Sequence, residues 1–159
     1  MKRLFVDLDR CIGCGGCATA CARMLGGVST IRYAELGSGV EIPSVCRHCT
    51  EAPCLNACPT GAIVRDTNGI VSRDVLLCVG CRSCVLACPF GALADDLKSH
   101  TAVKCNLCAE RVGRGLPPAC VATCSSGARR LEEVEAVGAD KRTVLVGADA
   151  LGHNPYRRR

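Results

Sequence analysis

Cys78-Val-Gly-Cys-Arg-Ser-Cys-Val-Leu-Ala-Cys-Pro, residues 78 to 89, sets four thiols at the spacing C-x2-C-x2-C-x3-C and stops on a proline. The same spacing stands at Cys11, Cys14, Cys17 and Cys21. Two looser quartets keep the final x3 step: Cys46, Cys49, Cys54 and Cys58, with four residues between the second and third members, and Cys105, Cys108, Cys120 and Cys124, with eleven. Together the quartets use all 16 cysteines of the 159-residue chain. Cys11-Ile-Gly-Cys-Gly-Gly-Cys matches Cys78-Val-Gly-Cys-Arg-Ser-Cys at an offset of 67 residues, and Cys54-Leu-Asn-Ala-Cys-Pro-Thr-Gly-Ala matches Cys120-Val-Ala-Thr-Cys-Ser-Ser-Gly-Ala at 66. A two-quartet unit copied once accounts for both.

The tight spacing is that of bacterial ferredoxins. A short loop can offer three sulfurs to three corners of an iron–sulfur cube, while the fourth corner faces away. In two-cluster ferredoxins the fourth cysteine of each run therefore turns to the other cluster. On this logic the chain holds four [4Fe–4S] clusters. Local spacing alone assigns twelve ligands, and Cys21, Cys58, Cys88 and Cys124 depend on which quartets meet. Gly13, Gly15, Gly16, Gly80 and Ser83 suit loops wrapped closely around a cluster, because small residues let backbone N–H groups approach sulfur. Zinc is the competing metal, since Cys46 with Cys49 and Cys105 with Cys108 are C-x2-C pairs. The two C-x2-C-x2-C triplets fit poorly with two-plus-two tetrahedral ligation.

Cysteine at this density also suits a secreted disulfide scaffold. However, Lys2 and Arg3 are followed by Asp7 and Asp9 before any long apolar stretch, so neither a Sec nor a twin-arginine leader is read. The expected compartment is the reducing cytoplasm, with export on a partner left open. No apolar run approaches the roughly 18 to 20 residues of a membrane span, so no direct membrane insertion is expected. Of the 48% hydrophobic residues, about 38% remain once cysteines are removed, with no Trp, two Phe and two Tyr. A chain of this size buries only about two-thirds of its unfolded surface, so more than packing must hold it together. A net charge of +5 and four aromatics supply neither the basic face nor the stacking platforms of a nucleic-acid binder.

The fold class expected is α+β: two pseudo-symmetric ferredoxin-like modules, each with two clusters, short hairpins and short helices. Met1 to Leu8 reads as a strand with Leu4, Val6 and Leu8 on one face. One hairpin is read at Ile31-Arg-Tyr, Gly37-Ser-Gly and Val40-Glu-Ile, and another around Asn68-Gly69 with a type I′ turn. Helices are expected at Ala18 to Leu25, at Val85 to Ala87, and near Arg130 to Val137, the last as a solvated cap with Leu131 and Val134 able to face inward. Pro59 and Pro89 follow the last cysteines of quartets two and three, where quartets one and four have Ala22 and Ser125. That groups two with three and leaves one with four; sequential pairing, one with two and three with four, competes. His48, His100 and His153 read as solvent-facing or hydrogen-bonded, with His48, between Cys46 and Cys49, positioned to adjust one cluster's potential or protonation. There is no Gly-rich phosphate loop, flavin fingerprint or nucleophile pattern, and no catalytic residue is assigned.

The stretches Cys46-Arg-His-Cys-Thr-Glu-Ala-Pro-Cys-Leu-Asn-Ala-Cys-Pro-Thr-Gly-Ala-Ile and Lys104-Cys-Asn-Leu-Cys-Ala-Glu-Arg, followed by Pro118-Ala-Cys-Val, resemble sixteen-cysteine electron-transfer subunits of the formate hydrogenlyase and dimethyl sulfoxide reductase type. Similar subunits accompany CO dehydrogenase, formate dehydrogenase and tungsten-dependent aldehyde oxidoreductase. The match runs from about Met1 to Arg130; it is specific for four clusters and poorly specific for the enzyme served. The resemblance implies nested pairing, one with four and two with three. Cys11, Cys14 and Cys17 would then be completed by Cys124, and Cys105, Cys108 and Cys120 by Cys21. Likewise Cys46, Cys49 and Cys54 would be completed by Cys88, and Cys78, Cys81 and Cys84 by Cys58. Residues 45–89 would form an inner module, and residues 1–44 with 90–159 an outer one carrying a C-terminal extension. The chain is short after quartet four, so the C-terminal membrane tether of longer relatives is not expected.

The function expected is non-catalytic electron transfer between a large catalytic subunit and a second redox subunit or acceptor. The catalytic subunit would be of the molybdenum- or tungsten-pterin, hydrogenase or CO dehydrogenase type. The second would be a flavin/NAD subunit or a ferredoxin. The alternatives are a free soluble polyferredoxin and a filament-forming electron wire.

Overall fold

In each quartet the third cysteine is the second residue of a short helix: Cys17 in α1 (Gly16–Met24), Cys54 in α2 (Pro53–Asn56), Cys84 in α3 (Ser83–Leu86) and, after α4 (Ala109–Gly113), Cys120 in α5 (Ala119–Ala122). The structure, a computed structural model, describes residues 2–36, 40–96, 100–133 and 144–145. Three of these helices last a single turn, because the fourth cysteine opens a reversal written Cys-x-x-Gly-Ala. In it Gly61, Gly91 and Gly127 have φ of 66°, 56° and 65°. Their N–H groups close back on the carbonyls of Cys58, Cys88 and Cys124 at 3.4, 3.2 and 3.1 Å. A left-handed residue at a helix exit favours glycine, which has no Cβ to clash. Two residues after each glycine a strand begins: β4 (Ile63–Arg65), β6 (Leu93–Asp96) and β8 (Arg129–Glu133). After Cys21 no such reversal follows, and α1 runs on to Met24. α1 thus starts two residues before the expected Ala18, and α3 two before Val85.

Three hairpins and one small sheet complete this α+β fold. β2 (Arg32–Leu36) pairs antiparallel with β3 (Val40–Ser44), β4 with β5 (Val71–Arg73), and β6 with β7 (Thr101–Lys104). The turn residues 37–39 of the first hairpin lie outside the described residues. At the second, the expected type I′ turn is not what forms. It needs positive φ at both central residues, and Asn68 does not have it while Gly69 does, at 74°. Instead Gly69 N donates to Asp66 O at 3.0 Å, and the Asp66 carboxylate accepts from Asn68 N at 2.9 Å and Ile70 N at 2.7 Å. An aspartate that captures the loop's own amides makes a longer loop the better-satisfied solution.

The N-terminal strand β1 (Lys2–Asp7) lies between β8 and β9 (Val144–Leu145) in the order β8-β1-β9. It is buried on both faces rather than one. Leu4 and Val6 are buried, but so are Phe5, at 0% exposure, and Asp7, while Leu8 falls in the turn beyond the strand. Asp7 tolerates this because Arg10 lies 3.6 Å away and Arg130 4.0 Å, since a buried charge needs a partner. The helix expected near Arg130 to Val137 is a correction: residues 129–133 are strand β8, with Leu131 opposite Leu4. Leu131 and Val134 carried a spacing compatible with one helical face, and pairing to the open edge of β1 overrides so weak a local signal. Residues 134–137 lie outside the described residues.

Core side chains form two groups. One joins Leu4, Ile31, Val45 and Leu107 to Cys21, Cys46, Cys105 and Cys120. The other joins Ala52, Ile63 and Val71 to Cys54 and Cys84, with Leu93 and Ala102 from the β6–β7 hairpin. Cysteines are thus core residues in both, so cluster loading and folding stability are linked. No described helix is long and apolar enough to cross a membrane. Phe5→Ala should lower the unfolding free energy of the loaded protein by about 3–5 kcal/mol. Val64→Ala, at a side chain 43% exposed, should change it by less than about 0.5 kcal/mol, both read from anaerobic denaturant titration.

Candidate metal centres

Each C-x-x-C turn places the residue before its second cysteine in the left-handed region: Gly13 at φ 66°, His48 at 47°, Gly80 at 71° and Leu107 at 55°. This reversal aims two thiols and the intervening amides inward. Glycine adopts it freely. For His48 and Leu107 the same backbone costs about 1–3 kcal/mol, offset by side chains that are almost wholly buried, at 2% and 4% exposure. His48 is therefore a core residue: its Nδ1 accepts from Val71 N–H at 3.0 Å. Burial first, then the charges of Lys104 and Arg3, push its pKa down to about 3, which leaves the imidazole neutral. His100 is exposed, and His153 lies outside the described residues.

The thiols gather around recesses. One is lined by Cys78, Cys81, Cys84 and Cys58, a second by Cys46, Cys49, Cys54 and Cys88, and a third by Cys105, Cys108, Cys120 and Cys21. In each, three thiols come from one quartet and one from another. At the remaining quartet, α1 packs along α5. A Cβ added to Gly16 would stand 3.7 Å from Cys14 Sγ and 3.6 Å from Thr123 Cγ2, the residue before Cys124. The Tyr33 hydroxyl lies 3.7 Å from Cys17 Sγ. Cys46 and Cys105 are neighbours: burial first, then the Cys46 thiol, raise the pKa of Cys105. Cys14 and Cys81, by contrast, are exposed.

The donor set suits iron–sulfur clusters. Four soft sulfurs around one recess cap the four irons of a cube, and backbone amides reach the sulfurs as they do around cluster thiolates. The reversals after Cys58, Cys88 and Cys124 supply them: Ala92 N donates to Cys88 Sγ at 3.4 Å and Arg129 N to Cys124 Sγ at 3.3 Å. Burial raises the Cys58 thiol, but the Ile63 amide, the Thr60 hydroxyl and further amides outweigh it and hold the pKa below the usual thiol range. Cys124 behaves alike, through the Arg129 amide, the Ser126 hydroxyl and the Ala128 amide. These thiols are biased toward thiolate, the form that binds metal.

Cations set against sulfur escaped the sequence reading. Lys104 Nζ donates to Cys46 Sγ at 3.1 Å. Burial raises the Cys78 thiol, but the Gly80 amide, then the Arg73 side chain, outweigh it and hold the pKa below the usual thiol range. Arg129, 2% exposed, opposes the burial that pushes Cys120 up to about 11. None carries a motif; the available signal was a basic residue next to or a few positions from a cysteine. Arg82, left-handed at φ 64°, is held by Asp95 at 2.9 Å.

The loop around Cys78 has no room to spare, since a Cβ on Gly80 would come 2.1 Å from the carbonyl oxygen of His100. Gly80→Ala should lose the iron of one cluster, about four atoms per chain. Gly61→Ala, where nothing lies within 4 Å of the added Cβ, should keep full iron and lose about 1 kcal/mol of stability for its left-handed φ. Iron assay and denaturant titration read both.

Residues 39–134 match the family model of the 4Fe-4S dicluster domain, and residues 4–26 that of a 4Fe-4S binding domain. The thiosulfate reductase electron transfer subunit PhsB of Salmonella typhi is 41% identical over 146 residues, covering 81% of this chain and 76% of that one. A tetrathionate reductase subunit of Salmonella typhimurium is 36% identical over 83% of this chain, which spans 58% of that relative. The formate dehydrogenase iron–sulfur subunit of Haemophilus influenzae is 33% identical over 82% of this chain and 51% of its own length. With sixteen cysteines, the ligand count of four [4Fe–4S] clusters, the chain belongs to the 4Fe–4S dicluster family of iron–sulfur electron-transfer proteins.

Proposed function

We propose that this chain is the electron-transfer subunit of an oxidoreductase complex, passing single electrons between a large catalytic subunit of the molybdenum- or tungsten-pterin class and a second redox subunit or acceptor. The observation that carries the reading is the lining of the recesses, three thiols from one quartet and the fourth from another. It supports nested ligation, directly for the last three of these sites and for the first through the packing of α1 along α5: Cys11, Cys14, Cys17 and Cys124; Cys105, Cys108, Cys120 and Cys21; Cys46, Cys49, Cys54 and Cys88; Cys78, Cys81, Cys84 and Cys58. In that order the four sites form a row. Cys17 and Cys21 share α1, Cys46 neighbours Cys105 in the middle, and Cys54 and Cys58 flank one turn of α2. An inner module of residues 45–89 and an outer one of 1–44 with 90–159 follow from the same pairing.

The clusters, when bound, supply the one-electron steps, and the protein's part is to hold them. Its amides stabilise the thiolates and its core keeps water from the middle of the row, while exposed Cys14 and Cys81 leave the ends accessible. The relatives named as reductase and dehydrogenase subunits favour a bound subunit over a free carrier. So do the exposed apolar side chains Val75, Leu76, Leu77, Val79 and Leu86 on segments that frame the Cys78 recess, since such patches mark interaction surfaces.

Two experiments test this. A tagged chain purified anaerobically from its native host should carry a large catalytic subunit with it. Recovery as a monomer would point to a free polyferredoxin, and filaments in negative stain to a self-assembling wire. For the pairing, Cys58→Ser and Cys78→Ser should perturb the same paramagnetic signal of the reduced protein. If Cys58→Ser instead perturbs the signal that Cys54→Ser does, nested ligation is wrong.

A further inference from the structure

Lys104 ends β7 one residue before Cys105, yet its side chain turns away from solvent, with 5% exposed. An ammonium has three N–H donors, and here the three acceptors come from three different segments. Nζ donates to Cys46 Sγ at 3.1 Å, to the Val71 carbonyl on β5, and to the Cys105 carbonyl at 3.4 Å. Val71 is also pinned through its preceding peptide, its N–H donating to His48 Nδ1. No carboxylate lies within ion-pair distance of Nζ among the described residues. A buried ammonium without a carboxylate needs negative charge from elsewhere, and the sulfur it touches is where that charge lies.

We propose that Lys104 is a potential-setting residue. Its ammonium sits between the second and fourth quartets and raises the reduction potential of the cluster bound by Cys46, Cys49, Cys54 and Cys88. The proposal rests on the ligand reading above. A reduced cluster carries one more negative charge than an oxidised one, and a cation hydrogen-bonded to a ligand sulfur in a water-poor site favours the more negative form. The effect falls mainly on that cluster, because Nζ bonds its sulfur directly but reaches Cys105 only through the backbone carbonyl. Arg73 and Arg129 stand at other recesses; Lys104 occupies the junction between Cys46 and Cys105, where an electron crossing from one half of the row to the other must pass.

The test is an anaerobic potentiometric titration of the fully loaded chain followed by electron paramagnetic resonance, for wild type, Lys104→Met and Lys104→Arg. In Lys104→Met the signal that Cys49→Ser also perturbs should need a lower potential for reduction. Its reduction equilibrium constant should fall about tenfold, about 59 mV for a one-electron couple, with the other three signals moving less. Lys104→Arg should restore most of the shift, which a purely structural role would not predict. Unmoved potentials in a fully loaded Lys104→Met chain, or an arginine variant that behaves like the methionine one, would overturn the proposal. Lys104→Gln, which keeps a donor without the charge, carries the same expectation. If neither uncharged variant loads about sixteen irons, Lys104 is a structural link and the proposal also fails. Failure of the ligand reading shows separately, as a Cys49→Ser chain in which no single signal changes.

Discussion

A short loop can reach three corners of a metal–sulfur cube and not the fourth, and that limit organises this chain. Each quartet places its third cysteine on the second residue of a helix and its fourth one turn later. Cys54 lines one recess while Cys58, four residues on, lines another. Segments distant in sequence are thereby drawn together: α1 packs along α5, and α2 meets α3. The thin apolar core is adequate because much of it is cysteine; buried Cys21, Cys46, Cys105 and Cys120 share one packed group with Leu4 and Ile31. Metal ligation and hydrophobic packing thus draw on the same cysteines.

The features legible in sequence are those with a local cause. Gly13 and Gly80 stood out as loop residues and take left-handed turns there, whereas the reversals at Gly61, Gly91 and Gly127 that start β4, β6 and β8 went unread. His48 and Leu107 adopt the same turn without glycine, and nothing in their spacing says so, because the compensation is burial by residues far away in the chain. The strand at 129–133 was hidden for the same reason. Its one apolar residue, Leu131, reads with Val134 beyond it as a helical face just as well, and the deciding partner, β1, lies at the other end of the sequence. The loop at Asp66 differs because a single carboxylate captured two amides that a tighter turn would have left unpaired.

Charge was the least legible layer. A net charge of +5 conveys nothing of where the cations sit. In the fold Lys104, Arg129 and Arg73 stand against individual sulfurs, whereas Arg10 and Arg130 neutralise Asp7 at the end of the central strand of the small sheet. A row of clusters built from near-identical loops needs some means of giving its members different potentials. Hydrogen bonds to sulfur, local charge and solvent access are the levers a protein has, and all three vary along the proposed row, from exposed Cys14 and Cys81 at the ends to the buried junction at Cys46 and Cys105.

The central claim, that the sixteen thiolates hold four cubanes, is tested most directly by Mössbauer spectroscopy of the chain reconstituted anaerobically with iron-57, together with its iron and zinc content. The account predicts about sixteen irons per chain, all in [4Fe–4S] clusters. A folded chain that holds zinc in place of iron, or whose iron is divided among smaller clusters, would contradict it.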